Sequence, residues 1–340
     1  MTAAASRIEA VPTAAGGAPH VPVLLEQVLA LTAPEPGEVV VDCTFGAGGH
    51  AAALAARLGP TGEMIGIDRD PEAARHFDAL RASMPCPARL ERTDFATGLA
   101  SLSTQGTRAD VVLMDLGLSS MQVDTAERGF SYSRQAPLDM RMDPALSVSA
   151  ADLVNGADEA DLARWFREYG DERHARQIAR AIARRRAEQP IATTGDLVEI
   201  IRGLPTSDET YALVRGAVPT PALFAGGHPA KRVFQALRIQ VNDELGILER
   251  ALPEAFGLLR PGGRLAVIAF QSLEDRMVKR FMRDRTRGCI CPPDLPVCGC
   301  GQSPEGRMLT PKAVKAVTAE IAANPRAHSA RLRVIRKADA

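Results

Sequence analysis

The chain has 340 residues, of which 46% are apolar and 24% are charged, the ordinary composition of a folded globular protein. Its 41 Lys and Arg residues balance 41 Asp and Glu residues, so nucleic-acid binding would have to depend on local basic patches. The sequence has no apolar run near the roughly 18 residues of a membrane span, and its six cysteines do not resemble a secreted disulfide framework. We therefore expect a cytoplasmic protein without a membrane partner.

The first part of the chain contains a tail and then alternating strands and helices. Residues 1–19 are rich in Ala, Thr, Gly and Pro and lack the apolar centre of a signal peptide, so we expect a flexible tail. Short β-rich segments then alternate with helical segments, and the strand candidates are residues 39–41, 64–67, 88–91 and 111–114. This alternation is typical of a parallel sheet with helices on both faces.

The first strand candidate leads into a glycine-rich turn. Gly46, Gly48 and Gly49 follow the strand and precede an Ala- and Leu-rich segment, which predicts a strand, a tight turn and a helix start. Glycine allows the backbone to approach a ligand closely. The second strand ends at Asp68, about 20 residues downstream, where a carboxylate can accept ribose hydroxyls. The pattern predicts a nucleoside-containing cofactor, either NAD or S-adenosylmethionine.

An acidic residue follows each of the four strand candidates: Asp42, Asp68, Asp94 and Asp115. Ligands of open parallel sheets bind at the carboxyl ends of the strands, although such an acid can also simply cap the next helix. A crevice lined with carboxylates suits a positively charged sulfonium better than the anionic pyrophosphate of NAD. The Leu-Arg-Pro-Gly-Gly-Arg segment at 259–264 also occurs widely in S-adenosylmethionine-dependent methyltransferases. These residues favour S-adenosylmethionine.

The strand pattern is interrupted between about Pro137 and Arg232. Apolar residues there recur at helical spacing and predict amphipathic helices; they include Leu162, Trp165, Phe166 and Tyr169, and then Ala175, Ile178, Ala179, Ile182 and Ala183. A helix over 233–252 and a strand over 264–270 resume the earlier pattern. We therefore predict an all-helical domain at 137–232 inserted into a doubly wound α/β domain formed by 20–136 and 233–340.

Eight sequence motifs follow one another along the chain. They are HVPVL at 20–24, DCTFGAGGH at 42–50, DLGLSSMQ at 115–122, RGFSY at 128–132, PLDMRMD at 137–143, HPAKRVFQALRI at 228–239, SLEDR at 272–276 and NPR at 324–326. In these motifs the chain resembles the ribosomal RNA small subunit methyltransferase H family, from about residue 20 to residue 336.

The resemblance implies a Rossmann-like class I methyltransferase fold in which the helical insertion recognises the substrate. It implies S-adenosylmethionine-dependent methylation of the cytosine N4 amino group at a decoding-centre cytidine of 16S rRNA. The expected partner is 16S rRNA in the small ribosomal subunit, and no DNA is expected. Two alternatives from other classes are an NAD-linked oxidoreductase and a catalytically silent rRNA-binding assembly factor.

The resemblance also implies a set of site residues. The S-adenosylmethionine contacts are Gly48, Gly49, His50, Asp68, Phe95, Asp115 and Gln122. The glycine turn would admit the methionine moiety, Asp68 would hold the ribose, and Phe95 would pack on the adenine. Because the N4 lone pair is delocalised into the ring, we expect catalysis mainly by positioning, on a base that has left its stack. Asp115 is the catalytic candidate, as an acceptor for the N4 hydrogens.

Two positions depart from the family pattern. Gln271 stands where the family usually has His, so this position can still form hydrogen bonds but cannot transfer a proton. His328 stands where Arg is common.

Arginines are frequent in residues 173–186, and a second group lies near the C-terminus at Arg326, Arg331, Arg333 and Arg336. Each group is either a solvated face or a salt-sensitive contact with the rRNA backbone.

Four cysteines form a cluster of two Cys-x-Cys pairs: Cys289, Cys291, Cys298 and Cys300. Four thiolates can hold Zn²⁺ tetrahedrally and brace a proline-containing loop. The Cys-x-Cys spacing is tighter than the usual zinc spacing, so reduced thiols and reversible disulfides are the alternatives to a structural zinc ion.

Overall fold

The structure, a computed structural model, describes residues 22–119, 121–122, 125–204, 228, 230–289, 291 and 299–339. The predicted tail at 1–19 lies outside these ranges. The chain divides into two units, of which the first comprises Met1–Gly117 with Ile247–Ala340 and the second comprises Leu118–Gly246. No helix within the described ranges has the length and apolar character to cross a lipid bilayer.

Seven strands form one sheet among the described residues of the first unit. They are β1 (Val39–Asp42), β2 (Glu63–Ile67), β3 (Ala88–Glu91), β4 (Ala109–Asp115), β5 (Leu259–Ala269), β6 (Gly306–Met308) and β7 (Arg331–Lys337). Their order is β3-β2-β1-β4-β5-β7-β6. Strands β1 to β5 run parallel, and β7 is antiparallel to both of its neighbours. The predicted doubly wound, Rossmann-like fold is therefore confirmed. The strand order reverses between β1 and β4, the point at which such sheets bind ligands.

Helices cover both faces of the sheet because its strands are apolar on both sides. In β4, Val111 and Leu113 belong to one core whereas Val112 and Met114 belong to the other. The helices are α1 (Leu25–Thr32), α2 (Gly49–Leu58), α3 (Pro71–Arg81), α4 (Phe95–Thr104), α5 (Ala150–Gly156), α6 (Glu159–Glu168), α7 (Ala175–Glu188), α8 (Thr194–Arg202), α9 (Ala230–Asn242), α10 (Glu244–Leu258), α11 (Ser272–Arg285) and α12 (Thr318–Ala323). Helices α1 to α3 pack in the first core, and α4, α10 and α11 pack in the second.

The second unit has helices α5 to α9 and a core of its own. The apolar stripes of α6 and α7 meet there, with Leu162 and Phe166 packed in the same cluster as Ile178 and Ile182. This arrangement follows from the helical spacing of these residues, which places them on one face of each helix.

The limits of this unit lie outside the predicted boundaries at 136/137 and 232/233. The predicted single helix over 233–252 is wrong, because α9 and α10 are separated at Asp243, which has a φ of +48°. Helix α9 buries Val233 and Leu237 in the helical core. Its last residue, Asn242, donates to the carbonyl oxygen of Met140 (2.7 Å). The assignment of substrate recognition to the helical unit stays a prediction.

Candidate active site

The turn between β1 and α2 favours glycine at two positions. Gly48 has a φ of +77°, and a Cβ placed there would lie 2.4 Å from Leu80 Cδ1 and 2.8 Å from Phe45 Cζ. A Cβ on Gly49 would lie 2.6 Å from Pro22 Cγ. The turn therefore brings the start of α2 to the carboxyl end of β1. The backbone N–H groups of a helix start carry partial positive charge, which suits an anionic group such as a carboxylate.

Asp68 joins the end of β2 to this turn. Its Oδ2 accepts from the N–H of Gly46 (2.8 Å) and its Oδ1 accepts from the N–H of Asp70 (2.8 Å). Burial raises the pKa of Asp68 above its ordinary value, and these two hydrogen bonds oppose the shift. A carboxylate offers about four acceptor positions, so Asp68 can accept further hydrogen bonds from ligand hydroxyls.

Thr44 connects the ends of β1 and β4. Its N–H donates to Oδ1 of the buried Asp42 (3.0 Å), and its hydroxyl oxygen accepts from the N–H of Asp115 (2.7 Å). Burial raises the pKa of Asp42 to about 7. Its Oδ2 is buried without a hydrogen-bond partner among the described residues. Thr44 was not predicted as a site residue. The only sequence feature that points to it is its hydroxyl group, two residues after the acid that ends β1.

Asp115 lies beside His50 at the end of β4. The carboxylate Oδ2 is 3.6 Å from His50 Nδ1, while His50 Nε2 is 3.0 Å from the carbonyl oxygen of Val23. A carbonyl oxygen only accepts, so Nε2 carries a proton and the Nδ1 atom of a neutral ring presents its lone pair to Asp115. Burial, followed by the charges of Asp42 and Glu274, raises the pKa of Asp115 to about 8. The surroundings of Asp115 in the absence of a ligand thus disfavour its ionised form.

The two oxygens of Asp115 differ in their surroundings. The side chain as a whole is 26% exposed, whereas Oδ1 is buried without a hydrogen-bond partner in the described parts of the chain. An unsatisfied buried acceptor is costly. Together with Asp42 Oδ2, it makes this end of the sheet a place where a positive charge or a hydrogen-bond donor is stabilised.

Glu274 fixes the start of α11 near the same strand ends. Its Oε2 accepts from the N–H groups of Phe270 (3.0 Å) and Gln271 (3.2 Å), and its Oε1 accepts from Gln271 Nε2 (2.8 Å). Gln271 thus takes part in hydrogen bonding, the only role expected for it. Glu274 was not predicted as a site residue, and its signal is an acid three residues after a helix N-cap.

The other predicted cofactor residues divide between the two units. Phe95 begins α4 and is half-buried beside the second core. The preceding Asp94 caps that helix, accepting from the N–H groups of Ala96 (3.0 Å) and Thr97 (3.1 Å), so the capping interpretation holds for this acid. Gln122 belongs to the second unit, where its Oε1 accepts from the N–H of Ser119 (3.1 Å). Gly48, Gly49, His50, Asp68, Phe95 and Asp115 all belong to the first unit.

The predicted basic patches have different structures. In the second unit, Arg167, Arg173 and Arg176 line a depression with His174. Arg186 is structural, because it donates to the carbonyl oxygen of Ala157 (2.6 Å) and to a second carbonyl.

The four arginines of the C-terminal patch differ in exposure: Arg326 is exposed, Arg331 and Arg336 are partly exposed, and Arg333 is buried. Arg333 donates twice to Asp275 (2.7 and 3.1 Å), so neither of the two interpretations, a solvated face or an RNA contact, applies to it. Arg331 lies 3.4 Å from the same carboxylate, and Arg336 pairs with Asp339 (2.9 Å). Burial alone would raise the pKa of Asp275, but the hydrogen bond and the charge of Arg333 lower it below its ordinary value.

Three of the four predicted metal ligands lie in the loop between α11 and β6. The sulfur atoms of Cys289, Cys291 and Cys300 approach one another within 4.8 Å. Cys298 lies outside the described residues. The remaining described cysteines, Cys43 and Cys86, are buried elsewhere in the first unit.

The sheet order, the glycine turn after β1 and the acids at the switch point define the class of protein. They are those of a class I S-adenosylmethionine-dependent methyltransferase, in which the antiparallel β7 distinguishes the sheet from that of an NAD-binding Rossmann domain. The chain belongs to the MraW methylase family, whose model matches residues 17–338. S-adenosylmethionine is therefore the cofactor, as predicted, and the NAD alternative is wrong.

Similar proteins span almost the whole chain. The ribosomal RNA small subunit methyltransferase H of Heliobacterium modesticaldum is 49% identical over 321 residues, covering 94% of this chain and 98% of that protein. The protein of the same name from Frankia alni is 49% identical over 321 residues, covering 92% and 94%. A solved structure described as a rRNA-methylase from Clostridium thermocellum has 13% identity and a TM-score of 0.42, covering 94% of this chain and 99% of that one.

Proposed function

We propose that this chain transfers the methyl group of S-adenosylmethionine to the N4 amino group of a decoding-centre cytidine in 16S rRNA of the small ribosomal subunit. The observation that carries the proposal is a pair of carboxyls beside a glycine turn at the switch point of the sheet. Asp42 is buried and Asp115 is partly exposed, each has one oxygen without a partner among the described residues, and the pKa of each is raised. The RNA substrate is supported by the relatives, which are named as ribosomal RNA small subunit methyltransferases over nearly the same length.

The residues of the first unit fit the cofactor. The start of α2 at Gly48 and Gly49 would take the methionine carboxylate, and the remaining acceptor positions of Asp68 would take the ribose hydroxyls. The partnerless oxygens of Asp42 and Asp115 suit a positive charge nearby. When bound, S-adenosylmethionine supplies an electrophilic methyl group on a positively charged sulfur.

Asp115 would act on the acceptor amine. An ionised carboxylate that accepts an N4–H hydrogen bond localises the nitrogen lone pair and orients it, which is catalysis by positioning. The approach of a positive charge lowers a carboxyl pKa and so ionises Asp115 when the cofactor is present. After transfer the amine carries an extra proton. Asp115 can take this proton, because its pKa of about 8 makes it a stronger base than an ordinary aspartate.

Arg173 and Arg176 would contact the rRNA backbone. The depression that they line carries cationic side chains and lies at the start of helix α7. The first backbone N–H groups of that helix also attract anions. A phosphate group fits this chemistry. Binding there would contribute affinity without base selectivity.

The proposal is tested by incubating the full chain with labelled S-adenosylmethionine and small subunits that lack this methyl group. Nucleoside analysis of the digested rRNA should then find N4-methylcytidine, and free 16S rRNA in a parallel arm identifies the preferred form of the substrate. Asp115→Asn should lose transfer while retaining S-adenosylhomocysteine binding, and the exposed Asp78→Asn serves as the matched control. A bound but unmethylated rRNA in both arms would instead identify an assembly factor.

A further inference from the structure

The loop between α11 and β6 is long, and the structure describes its two ends. It runs from Thr286 to Glu305, and none of its described residues is buried. Its two ends are joined, since the N–H of Glu305 donates to the carbonyl oxygen of Arg285 (2.9 Å) and the Arg285 guanidinium pairs with the Glu305 carboxylate (2.6 Å). Ordering each residue costs about 1–2 kcal/mol of backbone entropy, so a cross-link between the two arms would favour the ordered state.

Three thiols converge inside this loop from both of its arms. Cys289 and Cys291 follow α11, and Cys300 returns toward β6, yet all three sulfur atoms lie within 4.8 Å of one another. The Sγ atoms of Cys289 and Cys300 are 3.7 Å apart, far longer than the roughly 2.05 Å of a disulfide bond. Two thiolates on a tetrahedral Zn²⁺ with bonds of about 2.3 Å lie about 3.8 Å apart, so the observed separation matches zinc ligation.

A backbone hydrogen bond orients the first of these sulfur atoms. The N–H of Cys291 donates to Cys289 Sγ (3.4 Å), which stabilises negative charge on that sulfur and fixes the direction of the ligand. This contact brings the two members of the Cys-x-Cys pair together, although their spacing is tighter than usual. Soft thiolate ligands select zinc over the hard cations calcium and magnesium.

We propose that Cys289, Cys291 and Cys300 bind one Zn²⁺ ion through their thiolates. Binding releases the thiol protons to solvent. The fourth tetrahedral position takes water or a further donor. The ion joins the outgoing and returning arms of the loop and so orders them relative to each other. Its role is structural and independent of methyl transfer.

The test is metal analysis of the full chain, purified with a thiol reductant, exposed to Zn²⁺ and desalted. We expect one zinc ion per chain in the wild type and in the control variant Cys86→Ala, which changes a buried cysteine of the core. Cys289→Ser and Cys300→Ser should each reduce the zinc content by at least half. Cobalt substitution should give sulfur-to-cobalt charge-transfer absorption in the wild type that weakens in both variants.

Three outcomes would overturn the proposal: a metal-free wild type after exposure to zinc, equal zinc content in the serine variants, or an intact mass showing a Cys289–Cys300 disulfide under reductant. S-adenosylhomocysteine binding is measured on the same samples. Because it reports the folded active site, retained binding in the serine variants separates loss of the metal from loss of the fold. Failure of the methylation assay would leave the zinc result unaffected.

Discussion

The raised pKa of Asp115 makes binding of S-adenosylmethionine dependent on pH. If the positive sulfur requires the ionised carboxylate, affinity follows the ionised fraction, which falls about tenfold per pH unit below a pKa of about 8. The fraction falls about 50-fold between pH 8 and pH 6. Since 26% of the side chain is exposed, solvent screens part of this effect, and we expect about tenfold weaker binding at pH 6. The buried Asp42, with a pKa of about 7, acts in the same direction.

Calorimetric titration from pH 6 to pH 8 measures this dependence. S-adenosylhomocysteine is the matched control ligand, because it carries the same adenosine and amino-acid groups around a neutral sulfur; its affinity should change much less. In Asp115→Asn the affinity for S-adenosylmethionine should fall at pH 8 and lose most of its pH dependence, whereas Asp78→Asn should behave as the wild type. Equal pH profiles for the two ligands, or tighter binding of S-adenosylmethionine at pH 6, would refute the reasoning.

Three further predictions concern stability and RNA binding. In chemical denaturation, Gly48→Ala should lower the free energy of unfolding by more than the roughly 1–2 kcal/mol of left-handed backbone strain. The control is Gly106→Ala, which has a φ of +76° and open space around it and should show the strain alone. Equal effects of the two substitutions would contradict the proposed clash. Asp275→Asn should lower the free energy of unfolding by about 3 kcal/mol at pH 7 by breaking a buried ion pair. Because the folded-state pKa of Asp275 is lowered, that difference should shrink as the pH falls below about 4, and a constant difference would exclude the linkage. Replacing Arg173 and Arg176 with Ala should weaken rRNA binding and reduce its salt dependence by about one unit of log slope per lost phosphate contact, while an unchanged slope would exclude these contacts.

The sheet could be predicted because its evidence is local. β-branched runs, alternation with helical segments and glycine turns are each visible within a few residues, and the strand candidates agree with β1 to β4 to within two residues at each end. Glycine positions were predictable for the same reason. The break at Asp243 was not, since an apolar helical pattern continues on both sides of that residue.

The contacts that determine the properties of the site are not local. Thr44 meets Asp115 across 71 positions of sequence, and nothing in the turn alone indicates that partner. The C-terminal arginines illustrate the opposite error. Arginines close together in the sequence suggest an exposed basic face, but the face of β7 that Arg331 and Arg333 share meets Asp275 of helix α11, and Arg333 is buried there.

The hydroxyl of Thr44 has a mechanical consequence. It joins the backbone of β4 at Asp115 to the turn that follows β1, so a displacement of that turn acts directly on Asp115. In the proposed function, this single hydrogen bond would couple the turn that takes the donor to the position of the Asp115 carboxyl, and Thr44→Val would remove that coupling by removing the acceptor.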